Sequence, residues 1–138
     1  MFEPSGVVHT FGGPLGNITL WFPGGDIAAG RVTGVIRAPA VISVYQEIDR
    51  FSALHGHPGH GFIDLSGMTD FDWESRMILV RWNLAHRKQA QRLELLAWSN
   101  AAHLGLRVLN IALGDLVVSH STRESFARAY SGALRRRS

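Results

Sequence analysis

The chain has 138 residues, of which 46% are hydrophobic and 18% are charged, and these values exclude the disordered and membrane-spanning classes of protein. One domain of this length buries about 68% of the surface of its unfolded chain. The net charge is only +3, and the absence of cysteine excludes disulfides and thiolate chemistry.

The first third of the chain is predicted to form strands separated by turns. Val, Ile, Thr and aromatic residues are concentrated in residues 7–11, 17–22 and 31–36, with Gly- and Pro-rich turns between them. Residues 1–16 are predicted to be an N-terminal extension made of one strand and a turn. The first six residues have neither the basic region nor the apolar core of a signal peptide, so we expect a cytoplasmic protein.

The rest of the chain alternates between helices and strands. Apolar residues at helical spacing, with capping residues at their ends, predict four helices, over residues 39–55, 72–89, 99–114 and 122–134. A capping box at Ser121-Thr-Arg-Glu124 begins the last of them. Short apolar runs predict strands over residues 61–65, 92–98 and 116–118.

Repeated strand–helix–strand units require a largely parallel sheet with right-handed crossovers. We therefore predict a single α/β domain over residues 1–138, with a mixed, mostly parallel central sheet of about five or six strands and four helices. Residues 135–138 form a basic tail, in which Arg135–Arg137 account for an amount equal to the net charge. No aromatic-interleaved basic stripe accompanies this tail, so we expect a solvated helix end and no nucleic-acid binding.

This order of elements, together with one local motif, resembles the STAS family (SpoIIAA-like proteins), the fold of anti-sigma-factor antagonists. In that family a buried strand ends in an Asp-Leu-Ser-Gly-like segment, and eight residues after its Asp an Asp-Ser-Ser/Thr-Gly segment opens the next helix. Here Asp64-Leu65-Ser66-Gly67 matches the first segment, and Asp72 lies at the matching distance. The resemblance covers residues 17–134, mostly through the order of elements.

The chain departs from the family pattern at the phosphorylatable position. Trp73 and Glu74 stand where the family carries its Ser or Thr, and Ser75 stands at the family's Gly position. A phosphate at this helix N-terminus would create or abolish docking of a partner. The resemblance therefore implies a switch that is absent here, or that the acidic side chain of Glu74 sets permanently.

The second half of the chain, from Leu93 to Phe126, also resembles uncharacterised bacterial STAS-like proteins related to CRAL-TRIO lipid-transfer domains. That resemblance implies an apolar ligand between the sheet and the helices.

Two clusters of side chains are candidates for metal or acid–base chemistry. His55, His57 and His60 share a short loop, and neutral imidazoles at this spacing can ligate zinc, nickel or copper. The alternative is a polar Gly/Pro-rich connection, and these histidines are weak metal candidates. The acids Asp64, Asp70, Asp72 and Glu74 can hold a cation or share a proton, but capping of the helix by Asp70 or Asp72 explains them without either.

Nothing in the sequence predicts an enzyme. The phosphate-binding motifs Gly-x-Gly-x-x-Gly and Gly-x-x-x-x-Gly-Lys-Ser/Thr are absent, and so is the Gly-x-Ser-x-Gly elbow of serine hydrolases. Ser119-His120-Ser121 brings His beside Ser, but neighbours on a strand point to opposite faces of the sheet. We predict no cofactor and no catalytic residue.

We therefore predict a non-catalytic regulatory interaction module that binds another protein, either a regulator or a kinase-like partner. Its expected partner-binding residues lie around the start of the second helix: Ser66, Asp70, Asp72, Trp73, Glu74 and Ser75. The alternative is a carrier of a small, lipid-like apolar ligand held between sheet and helices. Residues 77–84 are apolar almost all round their helix, which predicts homodimerisation through this helix or a cavity beneath it.

Overall fold

One six-stranded sheet carries every other element of the structure. The computed structural model describes residues 2–24, 26–86, 88–89, 92–97 and 116–137. The strands are β1 (Val7–Gly13), β2 (Gly16–Gly24), β3 (Ile27–Ile36), β4 (His60–Phe71), β5 (Arg92–Leu96) and β6 (Val117–His120). The helices are α1 (Ala38–His55), α2 (Trp73–Ala85) and α3 (Arg123–Arg137).

The strands lie side by side in the order in which they occur in the chain. The first three pair antiparallel, and β3, β4, β5 and β6 pair parallel. The predicted mixed, mostly parallel α/β sheet is therefore confirmed. The residues expected to form an N-terminal extension supply the edge strand β1, which pairs along its whole length with β2.

Helices cover both faces of the sheet. On one, the α1/α2 face, apolar side chains of the strands meet α1 and α2, with Ile18, Val32, Val41 and Leu95 at the centre. On the other, the α3 face, a cluster of aromatic rings packs beneath α3; it comprises Phe2, Trp21, Phe62, Phe126 and Tyr130. The indole Nε1 of Trp21 donates a hydrogen bond to the Tyr130 hydroxyl at 3.0 Å, which fixes α3 to the middle of the sheet.

The end of β4 and the start of α3 differ from the prediction for local reasons. Strand β4 was expected to end at residue 65 but continues to Phe71. Its pairing with β3 shifts register between Arg31 and Thr33 and again between Gly34 and Val35. Two bulges therefore carry the strand through Ser66-Gly67 and Thr69-Asp70, although Gly67 and Asp70 are poor strand formers that end a strand in a sequence pattern.

The cap of α3 is Thr122 and not Ser121. The side chain of Thr122 accepts a hydrogen bond from the backbone N–H of Ser125 at 3.1 Å, so the helix begins one residue later than the capping-box pattern indicates. Arg135–Arg137, the basic residues at the end of the chain, form the last turn of α3.

The first predicted helix ends as expected. Gly56 follows His55 with φ of +87°, and its N–H donates to the Ser52 carbonyl oxygen at 2.9 Å. The predicted helix over residues 99–114 lies outside the described residues. Within the part of the chain that is described, no helix is long and apolar enough to cross a membrane.

Candidate functional site

The predicted partner surface surrounds the point where β4 passes into α2. Asp72 caps α2, since its carboxylate accepts a hydrogen bond from the backbone N–H of Ser75 at 2.9 Å. The hydroxyl and the backbone N–H of Ser75 face this carboxylate and lower the pKa of Asp72. Partial burial of the carboxylate opposes this shift. Asp72 therefore stays ionised at the positive end of the helix dipole, and it holds the first turn in place.

Trp73 is the most exposed aromatic residue among the large hydrophobic side chains that reach the surface. Its exposed fraction is 65%, and the neighbouring Glu74 is exposed as well. Asp70 lies at the same surface and forms an exposed ion pair with Arg37 at 3.1 Å. An exposed indole flanked by acidic groups is the kind of side chain that anchors protein interfaces.

The two serines of the predicted site, Ser66 and Ser75, are less exposed than Trp73, Glu74 and Asp70. Ser75 has an exposed fraction of 0%, so its hydroxyl is closed to a kinase in the folded protein. Ser66 is half-buried, and its N–H and hydroxyl both donate to Asp64 Oδ1, at 2.9 and 2.6 Å. Asp64 in turn pairs with Arg31, so the Asp-Leu-Ser-Gly motif supports a bulge in β4.

The three loop histidines do not converge. His55 is exposed at the end of α1 and contacts Phe51, whereas His57 stacks against Trp82 and His86 with ring centroids 5.6 and 5.2 Å away. Burial, followed by the nearby His86, lowers the pKa of His57, so this ring is neutral. His60 turns to the opposite face of the sheet. No cluster of three or more His, Asp or Glu side chains suited to a metal ion occurs among the described residues.

A cavity of about 150 Å³ lies between the α1/α2 face of the sheet and the two helices. Its walls are almost entirely apolar; they include Ile36, Val41, Met68, Leu79, Trp82 and Leu95. At one side Trp82 stacks on Tyr45 at 4.3 Å, and Tyr45 accepts a hydrogen bond from Asn83 at 3.1 Å. Apolar cavities of this size stay dry and admit a benzene-sized ligand.

A buried polar cluster lies on the α3 face and was not predicted from the sequence. Glu94 of β5 contacts His60 of β4 through Oε2, at 2.5 Å from Nε2, and His120 of β6 through Oε1, at 2.9 Å from Nε2. The other ring nitrogen of His120, Nδ1, lies 2.6 Å from the hydroxyl oxygen of Ser125 in α3. We call these four residues the His–Glu–His–Ser cluster.

The alternation of side chains along the strands places three residues of this cluster on one face of the sheet. Side chains two residues apart on a strand share a face, and the register places Phe62 opposite Glu94 and Leu96 opposite His120. His60, Glu94 and His120 therefore all share the face that carries Phe62 and Leu96. The order of the strands and their register were needed to recognise this, and neither can be read from one strand alone.

Burial and hydrogen bonding act against each other at Glu94. Its side chain is about 5% exposed, and burial alone disfavours the charged form. The hydrogen bonds from His60 and His120, with the positive charge of Arg92, more than offset this, and the pKa of Glu94 is lowered. Glu94 is therefore a buried, ionised carboxylate that accepts hydrogen bonds at both oxygens.

Several solved structures share this architecture, among them the following two. One is an uncharacterized protein of the DUF3478 family with a SpoIIAA-like fold from Shewanella loihica, with a TM-score of 0.64 and 14% sequence identity. The match covers 86% of this chain and 97% of that one. The other is an anti-sigma factor antagonist from Mycobacterium paratuberculosis, with a TM-score of 0.55, 17% identity and coverage of 81% and 92%.

These comparisons establish the fold. The chain has a SpoIIAA-like, STAS-type α/β fold, as the Asp64 motif and the order of elements predicted. No protein-family model matches the chain, and no curated protein matches it in sequence. At 14% and 17% identity, the activity of the two structural relatives is not transferred to this chain by the fold.

The Glu94 carboxylate predicts a dependence of stability on pH. Because its folded-state pKa is lowered, its ionisation contributes stability that is fully present above its unfolded value of about 4.3 and lost as the pH falls through the folded value. Glu94→Gln is expected to lower the free energy of unfolding at neutral pH by about 1–3 kcal/mol. The melting temperature of this variant is also expected to fall less steeply than that of the wild type as the pH is lowered, so the acid limb of its plot against pH is flatter.

The matched control is Glu124→Gln, which removes an exposed carboxylate from the first turn of α3. This variant is expected to keep the acid limb of the wild type. Thermal unfolding followed by circular dichroism over ~pH 3 to ~pH 7 measures both variants. An acid limb of equal steepness in Glu94→Gln and the wild type would contradict the assignment.

Proposed function

We propose that this protein is a regulatory interaction module of the cytoplasm that binds another protein through the start of α2. The proposal rests on the exposure of Trp73, which stands at the first position of a helix whose cap, Asp72, is held by hydrogen bonds. The STAS-type fold supports a regulatory role, and the relative from Mycobacterium paratuberculosis is an anti-sigma factor antagonist.

The partner surface comprises Trp73 and Glu74, with Asp70 and Asp72 beside them and Ser75 buried in the same helical turn; Ser66, predicted with them, lies farther back in β4. The chemistry of this surface favours a partner that offers an apolar pocket for the indole and cationic groups around it, because the three acids Asp70, Asp72 and Glu74 outnumber the nearby Arg37 and Arg76. The hydroxyl of Ser75 is buried, and Glu74 occupies a position that is phosphorylatable in the antagonists that this chain resembles. Docking is therefore expected to be constitutive, without control by phosphorylation at this position.

The double substitution Trp73→Ala with Glu74→Ala tests this surface. Truncating an interface anchor costs about 2 kcal/mol or more, so the affinity for the partner is expected to fall by roughly 30-fold or more. Proteins retained by the immobilised chain are identified by quantitative mass spectrometry, and their affinities are measured by calorimetry. Unfolding curves check that the fold is unchanged.

Leu54→Ala is the control, since Leu54 is a 76% exposed apolar residue at the other end of the helical layer. A true partner is retained by the wild type and by Leu54→Ala, and lost with the double variant. A partner that binds all three proteins equally would place its site elsewhere on the molecule.

We also propose that α2 forms the interface of a homodimer. Ile78 and Leu79 pack into the core of the α1/α2 face, whereas Leu84 is 46% exposed, and Met77 and Val80 are half-buried. These last three residues, spaced by three and four positions, lie on one stripe of the helix surface. A stripe of this spacing suits packing against a second copy of the same helix.

The oligomeric state tests this interface. Sedimentation equilibrium of the wild type is expected to give a dimer, and Val80→Glu with Leu84→Glu is expected to give a folded monomer because two charges would be buried at the contact. Leu54→Glu places a charge on an exposed site outside the stripe and is expected to remain dimeric. A wild type that stays monomeric at high micromolar concentration would exclude the interface.

A second candidate function is supported by the cavity beneath α1 and α2. Its apolar walls and its volume of about 150 Å³ suit a small apolar ligand, or the end of a longer chain, held between sheet and helices. Under this proposal the protein is a carrier, and α2 is the wall over the bound ligand.

Benzene is a suitable probe for this cavity, because a dry apolar cavity of about 150 Å³ is known to admit it. In a heteronuclear NMR titration, benzene is expected to shift the resonances of lining residues such as Val41, Met68 and Leu95. Leu79→Phe fills the cavity from α2 and is expected to abolish the shifts. Leu84→Phe enlarges an exposed side chain of the same helix and is expected to leave them unchanged. Equal shifts in both variants would exclude binding in the cavity.

A further inference from the structure

The His–Glu–His–Ser cluster has the arrangement of a nucleophile, its base and the group that orients the base. Ser125 Oγ lies 2.6 Å from His120 Nδ1, and His120 Nε2 lies 2.9 Å from Glu94 Oε1. Both distances are within hydrogen-bond reach, which is the structural requirement for an activated serine. Neither the interaction surface at Trp73 nor the apolar cavity uses these residues.

The charge of Glu94 fixes the protons of the cluster. An ionised carboxylate only accepts hydrogen bonds, so the nitrogen of each histidine that faces it carries a hydrogen. His120 therefore donates from Nε2 to Glu94, and the form of the ring that carries only this hydrogen presents the lone pair of Nδ1 to Ser125. The hydroxyl of Ser125 must then donate to Nδ1. This is the tautomer that a general base requires in order to remove the proton of a serine.

The base and its orienting group are shielded from water, and the serine is not. The side chains of His120 and Glu94 are about 10% and 5% exposed, which strengthens their interaction because the local dielectric is low. Ser125 is half-buried, and its neighbours Ser121 and Thr122 are exposed. Ser125 therefore lies at the border between the buried base His120 and the exposed residues that precede the helix.

The position of Ser125 in α3 favours attack on an electrophile. Ser125 is the third residue of the helix, after Arg123 and Glu124, and Thr122 caps its backbone N–H. The positive end of the helix dipole lies in this first turn, and it stabilises negative charge that develops on an atom attacked there. Glu94, in turn, stabilises the imidazolium that forms at His120 when it takes the proton.

His60 is a positioning residue in this arrangement. Its Nε2 lies 2.5 Å from the second oxygen of Glu94, and the contacts that define the cluster include none between His60 and Ser125. His60 of β4 contacts one oxygen of the Glu94 carboxylate and His120 of β6 contacts the other, so the carboxylate keeps the orientation in which it binds His120. Arg92 Nε, 3.8 Å from Glu94 Oε2, adds a positive charge on the exposed side.

We propose that Ser125 is a nucleophile that reacts with small activated esters. Its Oγ bonds to the carbonyl carbon while its proton passes to His120 Nδ1. The bond from that carbon to the leaving oxygen then breaks, and the proton returns from His120 to the departing alcohol. The products are an acyl ester of Ser125 and the free alcohol. This acyl-transfer activity is independent of the interaction proposed for Trp73 and adds to it.

The probe for this reaction is p-nitrophenyl acetate, which releases p-nitrophenol when it acetylates the protein. The wild type is expected to release one equivalent in a rapid phase, and peptide mapping by mass spectrometry is expected to find the acetyl group on Ser125. Background acetylation of amines is easily separated by the same mapping, because Lys88 is the single lysine of the chain.

Three variants distinguish an activated serine from a structural one. Ser125→Ala is expected to abolish the rapid phase, and Glu94→Gln is expected to slow it by roughly 100-fold or more, because loss of the group that orients the base costs up to about 10⁴-fold in serine enzymes. Ser121→Ala removes an exposed serine nearby and is expected to react like the wild type. Unfolding curves verify that each variant is folded.

If Ser125→Ala fails to fold, Ser125→Cys serves in its place, and a thiol held by His120 is expected to be acetylated at the same position. Acetylation of Ser125 that requires Glu94 would support the proposal. A folded wild type that carries no acetyl group on Ser125, or a rapid phase that persists in Ser125→Ala, would overturn it. Neither result would bear on partner binding, which is measured separately with the Trp73 variant.

Discussion

The pairing of β4 with both β3 and β5 is the constraint on which the rest of this structure depends. Strand β4 is the first to pair parallel, and it turns an antiparallel meander into the half of the sheet that alternates with helices. Parallel strands need a crossover, so α1 and the connections after β4 and β5 follow from this pairing. The bulges in β4 are part of the same constraint, because they extend the strand far enough to deliver Asp72 to the first turn of α2.

The two faces of the sheet differ in how they are filled. The α3 face is closed by aromatic rings in edge-to-face contacts, such as Phe2 with Phe126 at 4.7 Å, and by the hydrogen bond from Trp21 to Tyr130. The α1/α2 face is filled mainly by aliphatic side chains and leaves a cavity under two helices. The polar side chains of His60, Glu94 and His120 lie on the α3 face, where they are shielded from water.

The start of α2 shows how one local interaction can replace another. In the family that the chain resembles, a hydroxyl near this helix start receives a phosphate. Here Asp72 caps the helix with its own charge, Ser75 is buried against it, and Trp73 projects outward. Trp73 and Glu74 thus stand where the resemblance places a modifiable hydroxyl.

Local patterns in the sequence determined the elements and their order. The β-prone runs, the helical spacing of apolar residues, Pro39 and Gly56 predicted an α/β domain, and the segment from Asp64 to Asp72 indicated its STAS-type fold, because these signals act between residues close in the chain. The bulges of β4 escaped prediction, since they depend on pairing with β3, which local propensity does not contain. The cap at Thr122 is a local contact with Ser125, but Ser121 and Thr122 are both good capping residues and the pattern did not distinguish them. Only the tertiary structure brought His60, Glu94, His120 and Ser125 together, because strand order and register decide which residues meet across a sheet.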